Sequence, residues 1–416
     1  MKEEDTNMEI KRPAIAGTLE SSDCQVMVEA GEGKIDLSLD SAVINQYGNQ
    51  IRKVVLETLE NLGVDDVKIA IVDKGALDCT IKARVEGAIF RSVKQLDNLA
   101  MGRCNQIMNP NKKRLRRTMM FLNAQKPGLI KDPYIYKSDS IMLDLEDAVA
   151  ENQKDAARFS LFHALRSIDY RGCERVVRIN GLDSPYWKED IRCSVAGGCD
   201  AIRIPKTETE EDVKLVEKEV VRAEREFGRP EGSVLIMAAV ESARGVMNAL
   251  EICEASDRLF GVALSGGDYT KDLQTHITGT GIELMGARQN LVIAARAAGV
   301  QCFDTVYTDL DNMEGFRQDV ETIHLMGFDG KSIINPRQIN TVHEIYTPSQ
   351  KDIIFAEKVV KEIDEKKAQG IGVFTVDGKM IDIAFYDGAK RTIALAKASG
   401  VYKGCLLYTS PSPRDN

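Results

Sequence analysis

The sequence predicts an α/β chain: a (β/α)8 TIM barrel with a C-terminal extension, preceded by a small α+β domain. Three observations carry this. Between Arg117 and Asn335 a short apolar run recurs about eight times: RTMMFLN (117–123), IMLDLED (141–147), RVVRIN (175–180), AIRIPK (201–206), LIMAAVES (235–242), LFGVALSGGD (259–268), QCFDTVY (301–307) and KSIINP (331–336). Each run is of strand length and does not alternate, as parallel strands buried on both faces do not. Helix-patterned stretches separate most of them, such as NQKDAARFSLFHALRS and ELMGARQNLVIAARAAG.

The elements follow in order. Residues 1–98 read as a separate α+β domain. Its strand-like pieces are GKIDLSLDS, VKIAIVD and CTIKARVEG, and its helix is GNQIRKVVLETLENLG. That helix aligns Ile51, Val54, Val55, Leu59 and Leu62 on one face, with Gly63 where a C-cap belongs. Asp73-Lys74-Gly75 reads as a turn between two strands. Residues 99–116 read as a linker, and Lys112, Lys113, Arg114, Arg116 and Arg117 as a solvated charge run rather than a phosphate clamp. The barrel takes residues 117–345 and a helical extension 346–404. The segment 405–416, CLLYTSPSPRDN, resembles translated adapter sequence and is set aside as a non-native tail.

Composition bounds the function. The 416 residues are 43% hydrophobic and 29% charged, enough for a sizeable core in two domains. A net charge of −9 with no basic stripe speaks against nucleic acid as a partner. No run reaches the length of a membrane span, and MKEEDTNMEIKRP lacks the apolar region of a signal peptide. Nine cysteines without a C-x-x-C pair are expected to be reduced, which points to the cytoplasm. Four histidines far apart (His163, His276, His324, His343) disfavour a zinc site or a Ser-His-Asp triad and leave oxygen ligands for any metal.

Barrel chemistry sits at the C-terminal strand ends. Glu241 ends the fifth run and Asp268 the sixth, so both carboxylates are expected at one barrel height on neighbouring strands, within reach of one Mg2+. Gly266 and Gly267 would let a ligand approach the backbone. Each acid could instead cap the helix that follows. Arg178 ends the third run and suits capture of a substrate carboxylate; the alternative is a pair with a neighbouring acid. Alternation puts Asp144 and Glu146 on one face and Asp147 on the other. Lys206 is a weaker candidate, and a Schiff-base role for it is unnecessary beside a metal pair.

Several strings together carry a family resemblance: IMLDLEDAV, VVRIN, IRIPKTET, AAVESARGVMNA, DYTKD, GFDGKSIINPRQI and VDGKMID. From about Arg117 to Gly400 the chain resembles citrate lyase β subunits, citryl-thioester lyases of the acyl-CoA lyase (HpcH/HpaI-type) barrel family. Through AIAGTLESSD and DDVKIAIVDKGALDCTIKARVEGA, residues 8–98 resemble the γ subunit, the acyl carrier protein of that complex. The resemblance implies Mg2+ on Glu241 and Asp268, and substrate on Arg178 and Glu241. It implies a CoA-like phosphoribosyl-dephospho-CoA group on Ser21. It matches Asp382, in GKMID, to a carboxylate reaching a neighbouring subunit's pocket, hence a homo-oligomer.

The implied activity is cleavage of citryl thioester to oxaloacetate and acetyl thioester in citrate fermentation, with a citrate lyase α subunit as partner. Asp382 and Glu146 are the candidate bases. Around Ser21, Gly17 is expected to give flexibility, and Glu20 and Asp23 to keep the loop in water. Two features depart from the family. The stretch FLNAQKPG stands where FLPGAN is usual, and both subunits lie on one chain, with Met101 at the start of barrel-type sequence. A malyl-CoA-type or other acyl-CoA lyase, and a non-catalytic carrier or scaffold subunit, are the rival readings.

Overall fold

A computed structural model describes residues 8–93, 104, 110–368 and 373–403. Met101, residues 99–103 and 105–109 of the expected linker, and the tail 405–416 lie outside the described residues. The chain forms two compact units, Met1–Ile339 and Asn340–Asn416.

The first unit opens with β1 (Ala14–Ala16), β2 (Cys24–Ala30), β3 (Ile35–Ser41), α1 (Ile44–Asn61), β4 (Val67–Asp73) and α2 (Asp78–Val93). The strands form one sheet in the order β1-β2-β4-β3. Strands β3 and β4 run parallel because α1 crosses between them, while the other pairs are antiparallel. Alternation buries Val67, Ile69 and Ile71 of β4 under the helices. In α1 the expected face is buried, and Gly63, at φ +65°, accommodates the left-handed turn after its end.

One expected strand is a helix. CTIKARVEG lies inside α2, and Asp73-Lys74-Gly75 therefore joins a strand to a helix, with Asp73 Oδ1 accepting from the Gly75 and Ala76 amides. Ile81, Val85, Ala88 and Ile89 already keep helical spacing, but the β-branched content of the run suggested a strand. Burial is nearly all round because α2 sits between its own sheet and a helix of the barrel.

The barrel is β5 (Thr118–Asn123), α3 (Pro127–Ile130), β6 (Ser140–Asp144), α4 (Lys154–Ser167), β7 (Glu174–Arg178), α5 (Trp187–Gly197), β8 (Ala201–Ile204), α6 (Glu210–Glu226), β9 (Leu235–Val240), α7 (Ala243–Met247), α8 (Ala249–Glu254), β10 (Leu259–Leu264), α9 (Gly266–Asp272), α10 (Met285–Ala298), β11 (Gln301–Asp304), α11 (Met313–Met326) and β12 (Gly330–Ile333). All eight expected runs are its strands, parallel and closed from β12 back to β5. Its interior is a plug of Met119, Met142, Val176, Ala201, Leu235, Met237, Phe260, Ala263 and Phe303. Two residues further along their strands, the same inward direction is taken by Phe121, Asp144, Arg178, Arg203, Ser265 and Thr305. The lower barrel is therefore apolar and its top layer polar.

Only part of the basic stretch 112–117 is solvated. Lys112 and Lys113 are exposed, but Arg116 is fully buried, gripping Glu174 through two nitrogens at 2.6 and 2.7 Å and stacking over Phe260. Arg117 pairs with Asp139 at 2.8 Å. These arginines pair with carboxylates at the N-terminal ends of strands, so they seal the bottom of the barrel.

The N-terminal domain packs on the barrel through α2 and α4. Phe90 stacks on Phe159 at 5.6 Å, Arg91 pairs with Asp155 at 2.6 Å, and His163 Nε2 lies 2.7 Å from Glu86. Arg84, 1% exposed, binds Asp23 through two nitrogens and the Gln125 carbonyl through one. Removing one member of a buried pair leaves the other charge unpaired, so Arg84→Ala is expected to cost about 3–5 kcal/mol. A denaturant midpoint unchanged from the parent would show the pair to be dispensable.

The second unit holds α13 (Gln350–Ala368), the hairpin β13 (Val373–Val376) and β14 (Lys379–Asp382), and α14 (Ala384–Ala398), so the extension expected to be helical also contains a two-stranded sheet. Val359, Ile363, Val376 and Ile381 form its core. Helix α12 (Arg337–Tyr346) connects the two units in sequence. Among the described residues no helix is long and apolar enough to cross a membrane.

Candidate active site at the barrel mouth

A cavity of about 410 Å3 opens at the C-terminal ends of the barrel strands, lined among others by Phe121, Asp144, Asp147, Arg178, Arg203, Ser265 and Asp268. The strand register explains the grouping. Asp144, Arg178 and Arg203 are successive partners on β6, β7 and β8, so their side chains enter the top layer side by side.

Arg178 is already held. Its Nε and Nη2 donate to the two oxygens of Asp144 at 2.8 and 2.7 Å, and Nη1 faces Glu146 at 2.9 Å and Asp147 at 3.4 Å. Burial works against its charge, but the Asp144 hydrogen bonds and the three acids raise its pKa further, so it stays protonated. The expectation that Asp147 faces away is not met. Strand β6 stops at Asp144 and the chain turns, which brings Asp147 round to the same guanidinium.

Glu146 is buried between Arg178 and Lys206, whose Nζ lies 3.1 Å from its Oε1. Among the described residues neither carboxylate oxygen has a hydrogen bond of good geometry. Burial pushes its pKa up to about 7; Arg178 pulls it down, and Asp147 and Glu241 push it up. Lys206, two residues beyond β8 at φ +48°, adopts backbone geometry rare for a side-chain-bearing residue. Its pKa is raised: partial burial opposes the charge, but the close Glu146 carboxylate and the surrounding acids win. A protonated amine of this kind is a charge partner rather than a nucleophile.

Glu241, one residue past β9, is 3% exposed. Its Oε1 accepts from Ser265 Oγ at 3.0 Å, and its Oε2 is buried with no hydrogen-bond partner among the described residues. Burial raises its pKa, against the pull of Arg203 and Arg178. Asp268 is not a strand-end residue. Strand β10 stops at Leu264, and Asp268 is the third residue of α9, half-buried, beyond the level at which Ser265 bonds the Val240 carbonyl. Neither acid is a helix cap, because Ser242 and Ser265 hold those positions. The N-terminal turn of α9 favours an anion at Asp268. Gly266 is wedged against Thr305, whereas an added Cβ on Gly267 would meet nothing within 4 Å.

These donors fit a hard divalent cation. A buried carboxylate oxygen without a partner is costly unless a cation or donor joins it, and two carboxylates completed by water and substrate oxygens are a usual Mg2+ site. Among the described residues no group of three or more His, Cys, Asp or Glu side chains could hold a metal, so water and substrate would have to complete the shell.

Sequence reasoning missed Arg203. It is 1% exposed in the middle of β8, and burial, then Arg178, push its pKa down to about 10. A charged residue inside a non-alternating apolar run, AIRIP, was the available signal.

Ser21 lies in the β1–β2 turn, exposed, with its carbonyl oxygen against Gly128 of α3. Helix α3 follows β5, whose Phe121 lines the mouth, so this turn packs beside the C-terminal rim. Ser22 is pinned: φ +66°, its amide donating to the Lys74 carbonyl and its hydroxyl accepting from Lys131 Nζ at 3.1 Å. The loop is braced rather than pliable. Asp23 is buried on Arg84, and a Cβ on Gly17 would sit 1.9 Å from the Cys24 carbonyl oxygen. Asp382 ends β14 in the second unit, half-buried, and its Oδ1 accepts from the Ala384 amide at 2.9 Å.

Comparison with known proteins agrees with this layout. Residues 117–336 match the family described as HpcH/HpaI aldolase/citrate lyase, and residues 11–92 an acyl carrier family described as malonate decarboxylase delta subunit. Citrate lyase subunit beta of Leuconostoc mesenteroides subsp. cremoris is 50% identical over 289 residues, 70% of this chain and 96% of that protein. That of Escherichia coli K12 is 43% identical over 71% of this chain and 97% of its own length. A (3S)-malyl-CoA thioesterase of Cereibacter sphaeroides is 31% identical over 69% and 96%. The crystal structure of CitE from Mycobacterium tuberculosis with magnesium, acetoacetate and coenzyme A superposes with a TM-score of 0.56 at 26% identity, covering 69% of this chain and all of that one.

Proposed function

We infer from one premise, that the chain belongs to the HpcH/HpaI aldolase/citrate lyase family, that its barrel is a Mg2+-dependent carbon–carbon lyase. The substrate is citryl thioester, on a carrier or on CoA, and the products are oxaloacetate and acetyl thioester, in citrate fermentation. The observation that carries this reading is the buried Oε2 of Glu241, one residue past β9 and without a hydrogen-bond partner among the described residues, in a barrel whose mouth is also lined by Asp268. Glu241 and Asp268 would hold the metal, which when bound supplies positive charge to oxygen atoms of the substrate.

The chain's own groups do the rest. Citryl thioester carries a tertiary hydroxyl β to the thioester carbonyl. Removing the hydroxyl proton lets the adjacent C–C bond break, its electrons passing to the thioester as an enolate that is then reprotonated. Glu146 would take that proton, because a carboxylate titrating near neutrality can both accept and return it. Arg178 and Lys206 flank Glu146 and would balance its charge whenever it is ionised. Arg178 would meet a substrate carboxylate through Nη1, the nitrogen facing the cavity acids. Asp382 is the alternative base, acting in a neighbouring subunit of a homo-oligomer. Ser21 would carry the phosphoribosyl-dephospho-CoA arm, and the packed N-terminal domain would keep the thioester local to the rim, raising its effective concentration. A citrate lyase α subunit is the expected acyl-transfer partner.

The direct test is oxaloacetate release from citryl-CoA by purified protein with Mg2+; no release would end the lyase reading. The pH dependence adds a second. Glu146 must lose its proton to act as base, so kcat/KM is expected to rise with pH through about 7, and Glu146→Gln to remove that limb. The same group gives a stability sign. Its folded pKa lies above the ordinary 4.5, so the native state binds the extra proton between about 4.5 and 7, and stability falls as pH rises through that window. Glu146→Gln should flatten that fall; a limb and slope surviving in the variant would assign both to another group.

A further inference from the structure

We propose that Arg203 is a specificity-determining residue that binds a second carboxylate of the substrate, so that the mouth selects thioesters with two free carboxylates over those with one. This rests on the lyase reading above and names its substrate class more closely. Arg203 is buried at 1% exposure, yet among the described residues only Nη2 has an acceptor, Ser265 Oγ at 3.1 Å; Nε and Nη1 have none. Ser265 in turn donates to Glu241, so the guanidinium reaches that carboxylate only through a hydroxyl. Its Cζ lies 5.2 Å from the Phe121 ring, which Arg178 also faces at 5.1 Å.

The contrast with Arg178 is the core of the argument. The two are register partners on neighbouring strands, but Arg178 is neutralised by Asp144, Glu146 and Asp147, whereas Arg203 keeps unspent N–H groups beside the same cavity. Leaving a buried guanidinium unsatisfied is destabilising, and such a cost is retained where an anion repays it on binding. Its pKa, lowered to about 10, still leaves it charged at neutral pH. Citryl thioester has two free carboxylates, and both end in oxaloacetate. The carboxylate on the hydroxyl-bearing carbon lies next to the reacting oxygen. The other, one methylene away, requires a separate cation. Malyl thioester and its product glyoxylate lack that second group.

The test compares the full chain with Arg203→Gln and Arg203→Lys, measuring kcat/KM for citryl-CoA and malyl-CoA and, by calorimetry with Mg2+, the affinities for oxaloacetate and glyoxylate. Arg203→Gln is expected to weaken citryl-CoA turnover and oxaloacetate binding by about 10- to 150-fold, the range of one charged hydrogen bond. The ratio to the single-carboxylate compounds should fall at least tenfold, with partial recovery in Arg203→Lys. Equal losses for both classes, or no loss, overturn the proposal. If the parent cleaves malyl-CoA but not citryl-CoA, the citryl reading fails on its own, and the keto-acid ratio still decides the role of Arg203. A parent that binds oxaloacetate no better than glyoxylate also overturns it.

Discussion

Alanine at either Glu241 or Asp268 is expected to cut oxaloacetate release by about a thousandfold or more while leaving the fold intact. The size follows from what the pair would do: electrostatic stabilisation of developing charge is the largest single contribution in such sites, and even one donor is worth 10²–10³. The intact fold follows from Glu241's surroundings. It is buried, one of its oxygens has no partner among the described residues, and burial raises its pKa, so its removal relieves a desolvated charge at the loss of a single side-chain hydrogen bond, that from Ser265. Calorimetric titration with Mg2+ should lose its binding signal in both variants, and chelation should silence the parent. Near-normal rates in both variants after chelation would remove the metal site.

The second large effect concerns Ser21. Replacing it by alanine is expected to abolish the added mass of the carrier arm and the carrier-dependent cycle, while free citryl-CoA is still cleaved. Ser22→Ala should retain both. The neighbouring serines differ physically: Ser21 is exposed at the turn, whereas Ser22 sits at positive φ with its hydroxyl on Lys131 and its amide on Lys74. A modifying enzyme needs an accessible hydroxyl, which favours Ser21. Intact mass and peptide mapping of protein from a host that makes the group decide it. An adduct on Ser22, or none, would defeat the carrier assignment.

The sequence by itself determined the barrel. Eight non-alternating runs, spaced by helical stripes, admit a parallel closed sheet and little else, and all eight are strands of the structure. It also determined which strand ends carry charge, because Glu146, Arg178, Lys206 and Glu241 stop apolar runs. Where local pattern was ambiguous it failed. The run CTIKARVEG has enough β-branched residues to pass for a strand, and only its position between the sheet and α4 makes it a helix buried on nearly every side. Charge pairing was likewise invisible along the chain. Arg116 and Glu174 are far apart in sequence and meet at the bottom of the barrel, and Asp23 leaves water only because Arg84 arrives from α2.

At the mouth the same limit has a sharper form. The residue types were legible, but which charges cancel was not. Register sets Asp144 against Arg178 and Arg178 against Arg203, so one arginine is neutralised and the other is left with free N–H groups. Only tertiary structure decides this, because whether a buried charge is paired depends on strands brought side by side by barrel closure, not on neighbours in the chain.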